Sequence, residues 1–166
     1  MVEAISHFFL ETVGREWCVF LCSMIPIIEL RGAIPLGAGL GLSPALNYAL
    51  SVLGNMLPVP VILLCIRGVL HWMKHCPVAL FSKVALWLEN KAEKNRAKVE
   101  KYAFWGLFLF VAVPLPGTGA WTGSLVAALM RMNFWRALVS VLLGVLSAGI
   151  IMSFVSYGAV ALFQFI

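Results

Sequence analysis

MIPIIELRGAIPLGAGLGL, residues Met24 to Leu42, decides how the chain is read. Within it Glu29 and Arg31 stand two positions apart in sequence that is otherwise apolar, small or broken by proline. One ionised side chain at the centre of a bilayer costs at least ~2.5 to 3.5 kcal/mol, so charge there points to function and needs partners. That argument requires a membrane, and composition supplies it. Of 166 residues 62% are hydrophobic and 11% charged, with a mean hydropathy of +0.98, whereas about a quarter of an ordinary soluble domain is charged. The expected fold class is all-α integral membrane, one membrane domain over residues 1–166.

On either side of Glu29 the apolar runs are short. Trp17 to Ile28 and Ala33 to Leu42 would make ~18 Å and ~15 Å of helix, about half of a hydrocarbon core of ~30 Å. Two half-length helices with a polar break, shaped by Pro26 and Pro35, predict a re-entrant hairpin over Trp17 to Leu42. Ser43-Pro44 then reads as a helix start, serine as cap and proline at the first helical position. Ala45 to Ile66 carries no charge and is the first full span, with Pro58 and Pro60 expected to bend or break its far end. Asn55, deep in that span, serves either an interhelical hydrogen bond or the wall of a polar cavity.

Arg67 to Leu88 mixes tryptophan, lysine and histidine, a composition for a helix lying in the membrane interface. His71 and His75 are one turn apart beside Cys76, but without a fourth ligand they read as interfacial anchors, not a metal site. Glu89 to Lys101 is a polar helix whose apolar seam continues into the membrane. Ala103 to Val113 is another half-span, and it stops at a loop containing Pro114, Pro116, Gly117, Thr118 and Gly119. Helical pattern resumes over Ala120 to Met130, which predicts a second re-entrant hairpin. Asn133 is a plausible cap for the last span, Ala137 to Ile166, along which Ser140, Gly144 and Ala148 form the small-residue stripe that lets helices approach closely.

The order hairpin then span occurs twice, over 17–66 and 103–166, with 67–102 as linker. Shifting the first copy by 90 positions lays Pro26 on Pro116, Ala38 on Ala128, Leu53 on Leu143 and Gly54 on Gly144. So few identities are near the chance level, and the duplication rests on element order. If both hairpins return to the side they enter, nearly all loop lysines and arginines share one face, expected to be cytoplasmic, with both termini outside. The repeats are then inverted, an arrangement of broken helices that transporters use.

The stretch IPIIELRGAIPLG, a polar linker and then PLPGTGAWTG together resemble the bacterial small multi-drug export family over nearly the whole chain. That family is similar in layout to the DedA superfamily, whose members resemble lipid-carrier translocases with two facing re-entrant loops. Several depend on acidic and basic loop residues. The resemblance implies a multi-pass protein of the bacterial inner membrane. It implicates Glu29, Arg31 and Pro35 in the first loop and Pro114, Pro116, Gly117 and Thr118 in the second. This chain has no acidic residue in its second loop, which argues against a relay of two carboxylates.

Two positions apart on a helix, Glu29 and Arg31 face nearly opposite sides, so either the backbone turns there or each finds its own partner. The second loop offers Thr118 as a hydrogen-bonding hydroxyl and Trp121 as a ring face for the guanidinium. Both returning half-helices aim their positive N-terminal ends inward. Glu29, Arg31, Asn55, Thr118 and Trp121 are therefore expected to converge between the hairpin tips as an anion site, with Glu29 exchanging a proton. The competing expectation is a structural pair that locks the hairpin.

The function expected is a transporter or translocase for an anionic or amphipathic substrate, a lipid phosphate among the candidates, with protons as coupling partner. Export of hydrophobic cations, with Glu29 as coupling carboxylate, is the alternative, and a non-transporting scaffold the third. An enzyme is not expected, since there is no aspartate, no metal cluster and no nucleophile beside a base. No cofactor is implied. Basic residues cluster beside membrane segments without a basic-aromatic module, which excludes nucleic acid; a homo-oligomer stays open. Cys18, Cys22 and Cys65 lie in apolar runs, and the four cysteines with Cys76 read as buried hydrophobes, not disulfides. The first sixteen residues lack the pattern of a signal peptide and read as a retained interfacial helix.

Overall fold

A computed structural model describes residues 14–65, 96–115 and 117–164. The expectations for residues 1–13, for the interfacial helix with His71, His75 and Cys76, for the polar segment as far as Asn95, and for Pro116 lie outside the described residues.

A residue that precedes proline is pushed out of the helical region by the proline ring. Ile25, before Pro26, accordingly adopts φ −76° and ψ 128°, and the first helix stops there. Helix α1 is Arg15–Met24 and helix α2 is Glu29–Gly39. The break expected at Glu29 to Gly32 thus falls over residues 25–28, and Glu29 and Arg31 stand on the first turn of α2. Proline sets the position, not charge. Helix α3, Pro44–Met56, is interrupted at Leu57 before Pro58 and continues over 58–65, the expected effect of the proline pair. Helix α4, Arg96–Ala112, joins the end of the polar segment to the apolar run in one helix. After the second loop come α5, Ala120–Leu129, and α6, Phe134–Gln164.

All regular structure among the described residues is helical. By length and composition two segments can cross a membrane, Pro44–Cys65 and Phe134–Leu162. Helices α1, α2 and α5 have only ten or eleven residues each. The outward surface is apolar, with Phe154 78% and Ile27 71% exposed, a surface that lipid covers at no cost and water does not.

Helix α1 packs on α2 and α3, α2 also on α3 and α6, and α4 and α5 on each other and on α6. Leu30, Ile34, Val59, Val111, Val141 and Val145 fill the shared core. Two glycines let helix backbones approach closely. A Cβ on Gly54 would stand 2.5 Å from the Phe20 carbonyl oxygen of α1, and one on Gly144 would stand 3.1 Å from that of Phe108 in α4. Ser140 Oγ donates to the Phe104 carbonyl at 2.7 Å, so the small-residue stripe of α6 faces α4.

The turns after α2 and α5 are the same turn. Leu42 N–H bonds the Gly37 carbonyl at 3.0 Å and Gly41 N–H bonds that of Ala38 at 3.1 Å; Met132 bonds Ala127 at 3.0 Å and Arg131 bonds Ala128 at 3.1 Å. This double bond is the Schellman end of a helix, with a left-handed residue at its centre. Gly41 has φ 74° and Arg131 φ 54°. Each of these residues lies 90 positions from its counterpart, the offset that aligns Gly54 with Gly144.

Candidate site between the two helix breaks

Any helix end leaves amides or carbonyls without intrahelical partners, and a broken helix has two such ends inside the molecule. Here side chains from one break serve the ends of the other.

Glu29 is 7% exposed and, unusually for a non-glycine, has φ 50°. Its Oε1 accepts the Trp121 N–H at 3.3 Å. Helix α5 begins after Gly119 with no side-chain cap of its own, so a carboxylate from the other break does the work of an N-cap and faces the positive end of the helix dipole. Gly119 is glycine for a steric reason: a Cβ there would fall inside the Glu29 carboxylate.

Arg31 serves the opposite end. Its Nη2 lies 3.3 Å from the Val111 carbonyl, 3.0 Å from that of Val113, and 2.9 and 3.0 Å from the carbonyl and Oγ1 of Thr118. Nη1 donates to the Leu115 carbonyl. These are carbonyls of the last turn of α4 and of the loop after it, the negative end of that helix. Thr118 Oγ1 is itself 2.9 Å from the Val113 carbonyl and 3.0 Å from that of Leu115, which holds the loop around the guanidinium. The end-on fork of Arg31 is therefore engaged by the protein.

Trp121 reciprocates, its indole N–H donating to the carbonyl of Met24, the last residue of α1, at 3.1 Å. The ring was expected to stack on the guanidinium; its position is instead set by this bond, while the guanidinium is held by carbonyls. Asn55, 3% exposed, lines a cavity of about 10 Å³ together with Glu29, Arg31, Gly119, Ala120 and Ala148.

The geometry thus brings Glu29, Arg31, Thr118 and Trp121 into one hydrogen-bonded unit with Asn55 at its wall. Glu29 and Arg31 have separate partners, one of the two outcomes that their spacing allowed. Among the loop-shaping residues, Pro26 lies in the first break, Pro35 inside α2, and Gly117 at φ 82° in the second loop, with Pro114 just after α4. Among the described residues no group of three histidine, cysteine or acidic side chains is placed to hold a metal ion.

One polar cluster was not foreseen. Asn47, fully buried, bonds the Ile34 carbonyl at 2.8 Å and Tyr157 Oη at 3.0 Å, and Tyr157 donates to the Leu42 carbonyl at 2.8 Å. It ties α2, α3 and α6 together. A tyrosine in a long apolar run was the visible signal, but its helix face is not readable without neighbours.

A family model described as "Putative small multi-drug export protein" matches residues 29–151. The chain belongs to this family. Its matched span opens on Glu29 and contains Arg31, Asn55, Thr118 and Trp121 as well. The small multi-drug export description names an exporter, and the two long apolar helices agree with a membrane protein. Comparison with curated proteins and with solved structures found no match.

Proposed function

We propose that the chain is a membrane transporter for amphipathic molecules bearing an anionic group, lipid phosphates among them, and that the junction of the two breaks is its substrate site. The observation that carries this reading is the Glu29 carboxylate bonded to the N-terminus of α5 at Trp121 N–H. A helix N-terminus is a ready anion site, and this one is filled by the protein's own carboxylate among apolar walls. A substrate anion competes for the same amides, and Glu29 takes up a proton as it withdraws. Substrate and proton movement are linked in that scheme by one exchange.

Supporting the architecture of the reading, we take α1–α2 and the apolar end of α4 with α5 as re-entrant hairpins and the two halves as an inverted repeat. The half-length helices, the turn shared at 90 positions and the resemblance to the DedA layout favour it. The basic linker is then cytoplasmic and both termini lie outside, in the bacterial inner membrane.

The family description favours a second reading, export of hydrophobic cations. Arg31, held by five contacts to the last turn of α4 and the second loop, leaves Glu29 as the group to pair with a cation once it leaves α5. Flux into proteoliposomes, measured with a labelled lipid phosphate and separately with a lipophilic cation, tests both. We expect the anion to move, and Glu29→Gln to abolish the pH dependence of its flux. Movement of the cation alone would establish the second reading, and movement of neither would leave a scaffold.

A further inference from the structure

Two buried side-chain polar atoms among the described residues have no hydrogen-bond partner, Asn55 Oδ1 and Ser153 Oγ. Asn55 Oδ1 is the one beside the junction, because Asn55 shares its cavity with Glu29, Leu30 and Arg31. An acceptor left bare in an apolar interior costs ~1 to 3 kcal/mol, which selects against keeping asparagine there unless something donates to it. The protein groups around it are poorly suited to do so. Glu29 Oε1 is engaged by the Trp121 N–H, the Arg31 guanidinium is turned to the second loop, and the side chains of Leu30, Val111, Val145 and Ala148 are apolar.

We infer that this cavity is a binding site for a single water molecule, held by Asn55. Its volume of about 10 Å³ is the room of about one water. The partners also number what a buried water uses, about three. The water donates to Asn55 Oδ1 and to the Glu29 carboxylate and accepts from a first-turn amide of α2, Leu30 or Arg31, which by helix geometry has no intrahelical carbonyl to bond. Asn55 is thus a positioning residue for a solvent molecule against Glu29, which keeps the carboxylate partly solvated when it leaves α5. That consequence rests on the transport reading; the site itself does not.

Water-to-amide cross-relaxation in the detergent-solubilised, ¹⁵N-labelled full chain tests the site without any transport measurement. A contact of long-lived water at the Leu30 or Arg31 amide is expected, and Asn55→Leu is expected to remove it and to lower the melting temperature. Absence of the contact in the unmodified protein would overturn the inference, whether or not the variant folds. So would its persistence in Asn55→Leu, or a higher melting temperature for that variant, which is the response of a dry cavity relieved of a bare acceptor. Asn55→Ser keeps an acceptor on a shorter arm, and should retain the contact if Asn55→Leu does not fold.

Discussion

Glu29 and Arg31 carry charge into an apolar interior without forming a pair. Each is compensated by backbone, the carboxylate by the amide end of α5 and the guanidinium by carbonyls of the last turn of α4 and of the loop after it. Arg31→Lys keeps the charge but loses the planar fork that reaches Val113, Leu115 and Thr118 at once. We expect a loss of about 1 to 3 kcal/mol in thermal or denaturant unfolding in detergent; an unchanged melting curve would remove Arg31 from this role. Gly119→Ala places a methyl group in the Glu29 carboxylate. It should be strongly destabilising alone and markedly less so in a Glu29→Ala background, a coupling of about 1 to 3 kcal/mol. Additive effects would mean that the two residues do not meet. The spacing of Glu29 and Arg31 left separate partners as one of two readings. The Thr118 hydroxyl was readable as a partner of Arg31; that the other partners are main-chain groups was not, because a sequence shows side chains and hides where a helix end points.

At the scale of elements, proline chemistry made most boundaries legible. Ser43-Pro44, Pro58 and the loop from Pro114 stop or start helices where expected, while Pro26 stops α1 earlier than the apolar run suggested. Caps separate the starts of α3 and α6 more finely. Asn133 Oδ1 accepts the Trp135 N–H at 3.0 Å, whereas Ser43 makes no side-chain cap bond before α3. Asn133→Ala should therefore cost about 1 kcal/mol and Ser43→Ala close to nothing in the same unfolding assay. Equal costs would contradict the difference in capping. The turn shared by Gly41 and Arg131 escaped the sequence reading because an arginine does not advertise a left-handed backbone.

For the whole molecule, membrane class and family were legible from composition and two motifs, and the two long helices agree. Orientation rests on the distribution of basic residues alone. In a cysteine-free background, a single cysteine at Arg136 should resist a membrane-impermeant reagent in intact cells and react after permeabilisation. Efficient reaction in intact cells would reverse the orientation proposed here.

The central claim is that Glu29 caps the second broken helix across the junction. The backbone ¹H–¹⁵N resonance of Trp121, assigned in ¹⁵N-tryptophan protein by its loss in Trp121→Phe, reports on that bond directly. With Glu29→Ala the Trp121 backbone N–H should move upfield and exchange faster with solvent, while the resonances of Trp17 and Trp135 stay in place. A Trp121 N–H that neither moves nor loses protection would show that Glu29 does not hold the end of α5.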